Sequence, residues 1–191
     1  MSAAERCPWC MGSTLERDYH DQEWGVPQHD PTVLFELLTL EGAQAGLSWR
    51  TVLQKREGYR RAFLHYRLPE LAALSDADLE QRLSDPSIVR NRLKVWSVRS
   101  NAQAVLRLAD QGQCLNEWLW ATVDDEPQIN QWQRMADVPA RTERSDALSK
   151  RLQKAGFKFV GSTICYAFMQ AVGMVNDHLQ SCYRYRQLGG R

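Results

Sequence analysis

An all-α fold is predicted by three features of this 191-residue chain. Beyond Pro31, apolar residues recur at three- and four-residue spacing, as one face of a helix requires. Neither an alternating strand segment nor an Asn-Gly hairpin occurs. Residues that break helices, such as Pro31, Pro86, Gly156 and Gly173, fall at the ends of the periodic runs.

Residues 1–30 lack helical periodicity but hold Cys7, Trp9, Cys10, Tyr19, His20 and Trp24. They are expected to form an ordered loop, tied down by something other than regular hydrogen bonding. Asp30 is the expected N-cap of a helix from Pro31 to about Ala45, with proline at its first position. Its apolar run, Val33, Leu34, Leu37 and Leu38, places Glu41 one turn further along the same face, where an unpaired charge is expensive. Gly42, Ala43, Ala45 and Gly46 then bring the chain to Leu47 and Trp49. Read alone, this is a glycine-capped helix end with two packing side chains.

A second helix is expected from Ser48 to about Gly58, with Arg50, Lys55, Arg56, Arg60 and Arg61 on or just beyond it. Short helices follow over Pro69–Leu74 and over Asp76–Leu83, the latter capped by Ser75 and stopped before Pro86. Longer patterns run from Asn91 to about Asp110 and from Leu115 to Val123. Asp124 to Ala140 is polar and broken by Pro127 and Pro139, so an exposed connection is expected. Ser145 is the expected cap of a helix from Asp146 to Ala155, stopped by Gly156. A last helix covers Ser162 to about Gly173, with Ile164, Phe168, Ala171 and Val172 inward.

The composition, 43% hydrophobic and 25% charged, is that of a chain that buries a real core, as one domain or two helical lobes. A net charge of +1 excludes a global polycationic field, so any basic surface is local. There is no run of eighteen apolar residues, and Met1 to Arg6 lack a leader's apolar segment, so no membrane contact is expected and a cytoplasmic location is. Five cysteines at uneven spacing do not suit a closed disulfide framework. Tyr66, Trp96, Trp118, Trp120 and Trp132 read as packing side chains rather than stacking platforms.

Twelve residues separate Cys7 from His20, and His178 and Cys182 fall at i, i+4, on one helix face if the last helical pattern extends that far. Two thiolates and two imidazoles make a tetrahedral Cys₂His₂ shell for Zn²⁺ with no open position, a structural staple between residues 1–30 and 174–186. Cys10 competes with Cys7 for the fourth place, and Cys7-Pro8-Trp9-Cys10 also fits a redox pair, without the βαβ surroundings such a pair keeps. Further on, Lys154 to Gly161 forms a short glycine-bounded turn between two helices. The backbone N–H groups of Gly161, Ser162 and Thr163, at the positive end of a helix dipole beside Lys158, suit a phosphate. Lys150, Arg151 and Lys154 add local positive charge; a solvated αα-hairpin is the plainer alternative.

Taken together, these segments resemble the DNA-3-methyladenine glycosylase I family, a branch of the helix–hairpin–helix DNA glycosylases. The resemblance rests on Tyr19 to Pro27, Glu41 to Trp49, Ser145 to Lys150, Gly156 to Cys165, Phe168 to Gln170 and Val175 to His178. It implies excision of N3-methyladenine from alkylated double-stranded DNA by a monomer, with a structural zinc on Cys7, His20, His178 and Cys182. It implies that Glu41 is the acidic pocket residue, Trp49 the stacking aromatic and Tyr19 a pocket tyrosine, with Trp9 and Trp24 nearby. Gly46 and Leu47 match the segment that invades the base stack.

Two positions depart from the wider pattern. Members often carry a tyrosine three residues before the position of Tyr19, where this chain has Glu16, which puts pocket width and substrate range in question. The aspartate that other helix–hairpin–helix glycosylases place after the hairpin aligns with Asn176, with Asp177 adjacent. Their imine-forming lysine falls near Thr163, so hydrolysis without β-lyase activity is expected. A non-catalytic protein of the same fold that only binds alkylated DNA is the alternative, as is a thiol-redox protein built on Cys7 and Cys10.

Overall fold

The structure, a computed structural model, describes residues 5–191. The reading of the chain's start as free of a leader falls in part on residues 1–4, outside that range. Ten α-helices are present among the described residues: α1 (Thr14–Gln22), α2 (Pro31–Gln44), α3 (Trp49–Ala62), α4 (Leu68–Ala72), α5 (Asp76–Arg82), α6 (Arg92–Asp110), α7 (Leu115–Trp120), α8 (Glu143–Lys154), α9 (Ser162–Ala171) and α10 (Tyr183–Gln187). The mostly helical architecture expected from the apolar spacing is therefore observed.

Helix α2 is the centre of the molecule. Every residue from Leu34 to Ala43 is buried, and the helix packs against α3, α6, α7 and α9. Asp30 caps it, its carboxylate accepting from Thr32 N and Val33 N, and Pro31 enters at a position that needs no N–H. Helices α4 and α5 lie on α6, and α8 lies on α9. The main core joins these helices, while a smaller cluster gathers Cys7, Tyr19, Trp24, Leu53, Leu179 and Cys182 where the two ends of the chain meet. Among the described residues no helix is long and apolar enough to cross a membrane.

Five expectations are corrected. Residues 1–30 are not all irregular: Pro8–Gly12 is a 3₁₀ turn and α1 follows. The overlooked signal is Ser13-x-x-Glu16, a capping pair in which Ser13 Oγ accepts from Glu16 N and donates to the Glu16 carboxylate. Helix α8 starts three residues early because Thr142, not Ser145, is its N-cap; Ser145 completes the reciprocal pair from inside the helix.

The last helix does not reach His178 and Cys182. It ends at Ala171, and Gly173 turns the chain at φ +73°, where an added Cβ would lie 2.5 Å from backbone atoms of Val26 and Pro27. The chain then extends, so that β2 (Val175–Asn176) pairs in parallel with β1 (Gln128–Ile129), a two-residue contact in a chain expected to have no strands. That pairing also corrects the reading of residues 124–140 as only a connection. Much of the segment is exposed, but Asn130 and Trp132 reach inward from it.

Candidate active site

Cys7, His20, His178 and Cys182 converge without a shared helix. All four are buried, and their ligand atoms lie within 4.8 Å of one another. Cys182 Sγ is 3.4 Å from His20 Nε2 and 3.6 Å from His178 Nδ1, and Cys7 Sγ is 3.7 Å from the same Nδ1. These are the edge lengths of a tetrahedron with metal–sulfur bonds of about 2.3 Å and metal–nitrogen bonds of about 2.0 Å. The outer ring nitrogens are held as ligand imidazoles are: His20 Nδ1 lies 2.8 Å from the Asp21 carboxylate, and His178 Nε2 lies 3.0 Å from the Trp24 carbonyl. Arg6 clamps Asp21 through Nε and Nη2. The set fits a metal ion. Cys10, left open as a substitute, is outside it, its thiol donating to the Cys7 carbonyl.

Against this cluster stands an aromatic wall. Trp24 meets His178 edge-on at 4.6 Å and Trp9 at 5.1 Å; Trp9 contacts Tyr19 at 6.4 Å, and Tyr19 contacts Trp49 at 5.3 Å. The wall lines a cavity of about 220 Å³ closed on its other sides by Glu41, Gln44, Gln170 and Asp177, with Met135 and Val138 from the segment before α8. The five pocket residues expected from sequence, Trp9, Tyr19, Trp24, Glu41 and Trp49, therefore face one space. Its volume suits one flat heterocycle; sites for drug-sized ligands run from ~300 Å³ upward.

The polar groups of the cavity divide sharply. Trp9 Nε1, Tyr19 Oη and Trp49 Nε1 are buried without a hydrogen-bond partner among the described residues. Buried polar atoms of folded proteins are almost always paired, so three such atoms around one cavity mark a place for a ligand. Glu41 has no ion-pair or hydrogen-bond partner for its carboxylate among the described residues. Desolvation alone pushes its pKa up to about 8. Burial, and then the Glu41 charge, push Tyr19 well above the ordinary phenol range.

Asp177 is the reverse case. One oxygen accepts from Asn130 Nδ2 (2.6 Å) and Trp132 Nε1 (2.7 Å), the other from Tyr166 Oη (2.5 Å) and Gln170 Nε2 (2.8 Å). Asn176, its neighbour, does not line the cavity. Its amide donates to the carbonyls of Tyr185 and Leu188, and its oxygen accepts from His178 N. Glu16 also stays outside the cavity, held by Ser13 Oγ and Arg50.

A second hollow, of about 290 Å³, shares Glu41, Gln44 and Ala167 with the first and runs past Ala45, Gly46 and Leu47 to Thr163 and Ile164. Gly46 holds φ +80°, and Leu47 is 40% exposed at the rim. At the far end no side chain caps α9, which leaves its first N–H groups, around Gly161, Ser162 and Thr163, without a side-chain acceptor. Lys158 is exposed on the neighbouring turn, and neither it nor Gly161 lines a hollow. The sequence reading missed Gln44, Gln170 and Asp177 as lining residues. Gln44 was legible, one turn beyond Glu41 on α2; Asp177 was not, because only the turn at Gly173 brings it back to the cavity that Ala167 and Gln170 of α9 line.

Known proteins share this architecture. The methyladenine glycosylase family model matches residues 9–185. The chain is 47% identical to DNA-3-methyladenine glycosylase 1 of Escherichia coli strain K12, over 95% of this chain and 97% of that protein. A crystal structure of 3-methyladenine DNA glycosylase I superposes with a TM-score of 0.92 at 47% identity, covering 94% of this chain and 98% of the other. A variant of an enzyme of that name, in complex with 3-methyladenine, superposes with a TM-score of 0.90 at 31% identity, covering 93% and 96%. The chain belongs to the methyladenine glycosylase family.

Proposed function

We propose that the protein is a DNA glycosylase of base excision repair that flips N3-methyladenine out of alkylated duplex DNA and hydrolyses its N-glycosidic bond. The observation that carries this reading is the cavity itself, one heterocycle in volume, walled by indoles and a phenol, with an unpartnered carboxyl at its base. N3-methyladenine in DNA is a flat cation. An indole face attracts such a ring, which makes Trp49 the stacking platform, with Tyr19, Trp9 and Trp24 around the rest of it. Glu41 accepts from the exocyclic amino edge and, once the cation is beside it, gives up the proton that burial had favoured.

The damaged base is already a good leaving group. The C1′–N9 bond breaks with its electron pair going to the base, which departs neutral. The sugar is left as an oxocarbenium ion, and water adds at C1′ and loses a proton to solvent. Asp177, its carboxylate oriented by four donors, supplies the negative charge that this sugar cation meets. Thr163 stands where imine-forming relatives place a lysine, so the strand is not cut. The second hollow, from Leu47 to the α9 N-terminus, holds the extruded backbone, with Gly46 and Leu47 in the vacated stack and phosphate on Gly161, Ser162, Thr163 and Lys158.

Zn²⁺ is the ion proposed for Cys7, His20, His178 and Cys182, helix–hairpin–helix the class proposed for α8 and α9, and a monomer the working form. Held by four protein ligands, the ion would have no position for substrate and would supply only bonds that hold the chain ends together. The test is chromatography of bases released from methylated DNA. Free 3-methyladenine with the native chain, and a loss of about 10²-fold or more with Glu41→Gln, is the expected result. Tight binding to methylated duplex with no base released overturns it, and a borohydride-trapped adduct overturns the absence of lyase chemistry.

A further inference from the structure

Helix α6 lies outside the base cavity, yet two of its polar side chains reach the elements that face DNA in the proposed function. Lys94 and Asn101 are seven residues apart, two turns on one face. Lys94 Nζ donates to the Ala43 carbonyl at 2.8 Å and the Ala45 carbonyl at 2.6 Å, at the end of α2 just before Gly46 and Leu47. Asn101 grips the glycine hairpin by one residue, its Oδ1 accepting from Lys158 N at 2.7 Å and its Nδ2 donating to Lys158 O at 3.2 Å.

Between these ties α2 touches the hairpin directly. A Cβ on Gly42 would lie 3.2 Å from Phe159 Cβ and 3.3 Å from the Phe159 carbonyl oxygen, and Phe159 itself holds φ +55°. A half-buried aromatic in that region persists only where its surroundings over-determine it. Wedge turn and hairpin are thus set against one another, and α6 pins both.

The end of α2 needs this support. The last carbonyls of a helix have no partner within it, and a cation there is favoured by the dipole. Beyond Lys94, the turn is tied by Leu47 N donating to the Gln44 carbonyl at 2.6 Å, and residues 45–48 are exposed. A wedge on so short and exposed a turn can push into a base stack only if the turn does not yield. We propose that Lys94 is a positioning residue for base extrusion: it fixes the Ala45–Leu47 turn at its spacing from the phosphate-binding hairpin, and touches neither base nor sugar. This rests on the reading of Gly46 and Leu47 as the wedge.

The experiment compares the native chain with Lys94→Met, Lys94→Arg and Leu47→Ala. It measures affinity for a duplex holding a tetrahydrofuran abasic-site analogue, its salt dependence, excision from methylated duplex, and affinity for free 3-methyladenine. Lys94→Met is expected to weaken duplex binding and excision by about tenfold, the worth of a charged hydrogen bond, and Lys94→Arg to restore most of it. Free-base affinity stays within roughly twofold, and the slope of log affinity on log salt does not change, because no phosphate contact is lost.

A slope reduced by about one unit reassigns Lys94 to direct phosphate contact and overturns the proposal. So does a parallel loss of free-base affinity, which marks a general structural defect. A loss in Leu47→Ala but not in Lys94→Met overturns the role of Lys94 and leaves the wedge standing. No loss in either removes the wedge reading itself.

Discussion

Glu41 and Asp177 line one cavity, and only Asp177 has its carboxylate oxygens hydrogen-bonded. Glu41 is raised to about 8 by desolvation, so near neutrality it is mostly protonated in the free protein. A cationic base favours the ionised form. The pH dependence of kcat/KM reports the free enzyme, so it should rise with pH and level off near 8, and Glu41→Gln should flatten that rise. A native profile already flat from pH 6 to 9 would remove Glu41 from the role of counter-charge.

The same burial costs stability, and the sign can be worked out. Glu41 keeps its proton in the folded chain up to about 8, whereas the unfolded carboxyl loses it near the ordinary glutamate value. Between those values the native state binds more protons, so stability falls as pH rises. Glu41→Gln should therefore be more stable than the native chain at pH 7, on the order of 3 kcal/mol, and the gain should vanish near pH 4. Urea titrations at the two pH values measure it. Equal stability at pH 7 would mean that Glu41 is not the desolvated group.

Asp177 carries the opposite expectation. In Asp177→Asn one carboxylate oxygen becomes an NH₂ that faces donors, either Tyr166 Oη with Gln170 Nε2 or Asn130 Nδ2 with Trp132 Nε1. Excision should fall by about 10²-fold or more while free 3-methyladenine binds within roughly threefold, since the lost charge acts on the sugar. Single-turnover rates beside base titrations separate the two. An equal fall in base affinity would place Asp177 among the base-binding groups instead.

How far the site could be read from sequence follows from how each part is built. Glu41 and Trp49 lie on local elements whose bounds were legible, such as Asp30 before α2, whereas Trp9 and Tyr19 were named by residue type from a segment expected to be irregular. Asp177 was not separable from Asn176. Their difference is set by the β1–β2 pairing, which turns adjacent side chains to opposite sides, one to the cavity and one to the chain's end. The four side chains that cluster were named together on a premise that failed, since the last helix ends at Ala171 and Cys182 is instead the N-cap of α10. Side-chain chemistry constrained that set more tightly than helical spacing did.

Glu16 gives a prediction of little effect. Its carboxylate is committed to Ser13 and Arg50, with Arg50 largely in solvent, and it does not line the cavity. Ion pairs of that exposure are worth about 0–1 kcal/mol. Glu16→Ala should leave free-base affinity within roughly twofold and cost at most about 1 kcal/mol of stability, since Ser13 still caps the N–H of residue 16. A large shift in the ratio of released 3-methyladenine to 3-methylguanine would show that the residue reaches the base after all.

Removal of the metal proposed for the Cys7, His20, His178 and Cys182 cluster should act on the aromatic wall before it acts on the helices. Trp24 rests on both His20 and His178, and Trp9 rests on His20 and Trp24. Without an ion, four buried ligand groups face one another with nothing to neutralise or bond them, while α2, α6 and α9 belong to the other core. Chelation should therefore reduce near-ultraviolet dichroism and free-base affinity together, with far-ultraviolet dichroism largely kept. The melting temperature should fall by roughly 10 °C. Cys182→Ser should reproduce the effect, and Cys10→Ser, outside the cluster, should not. A chelated protein that binds the base normally would separate the cluster from the pocket and leave it a staple of the chain ends alone.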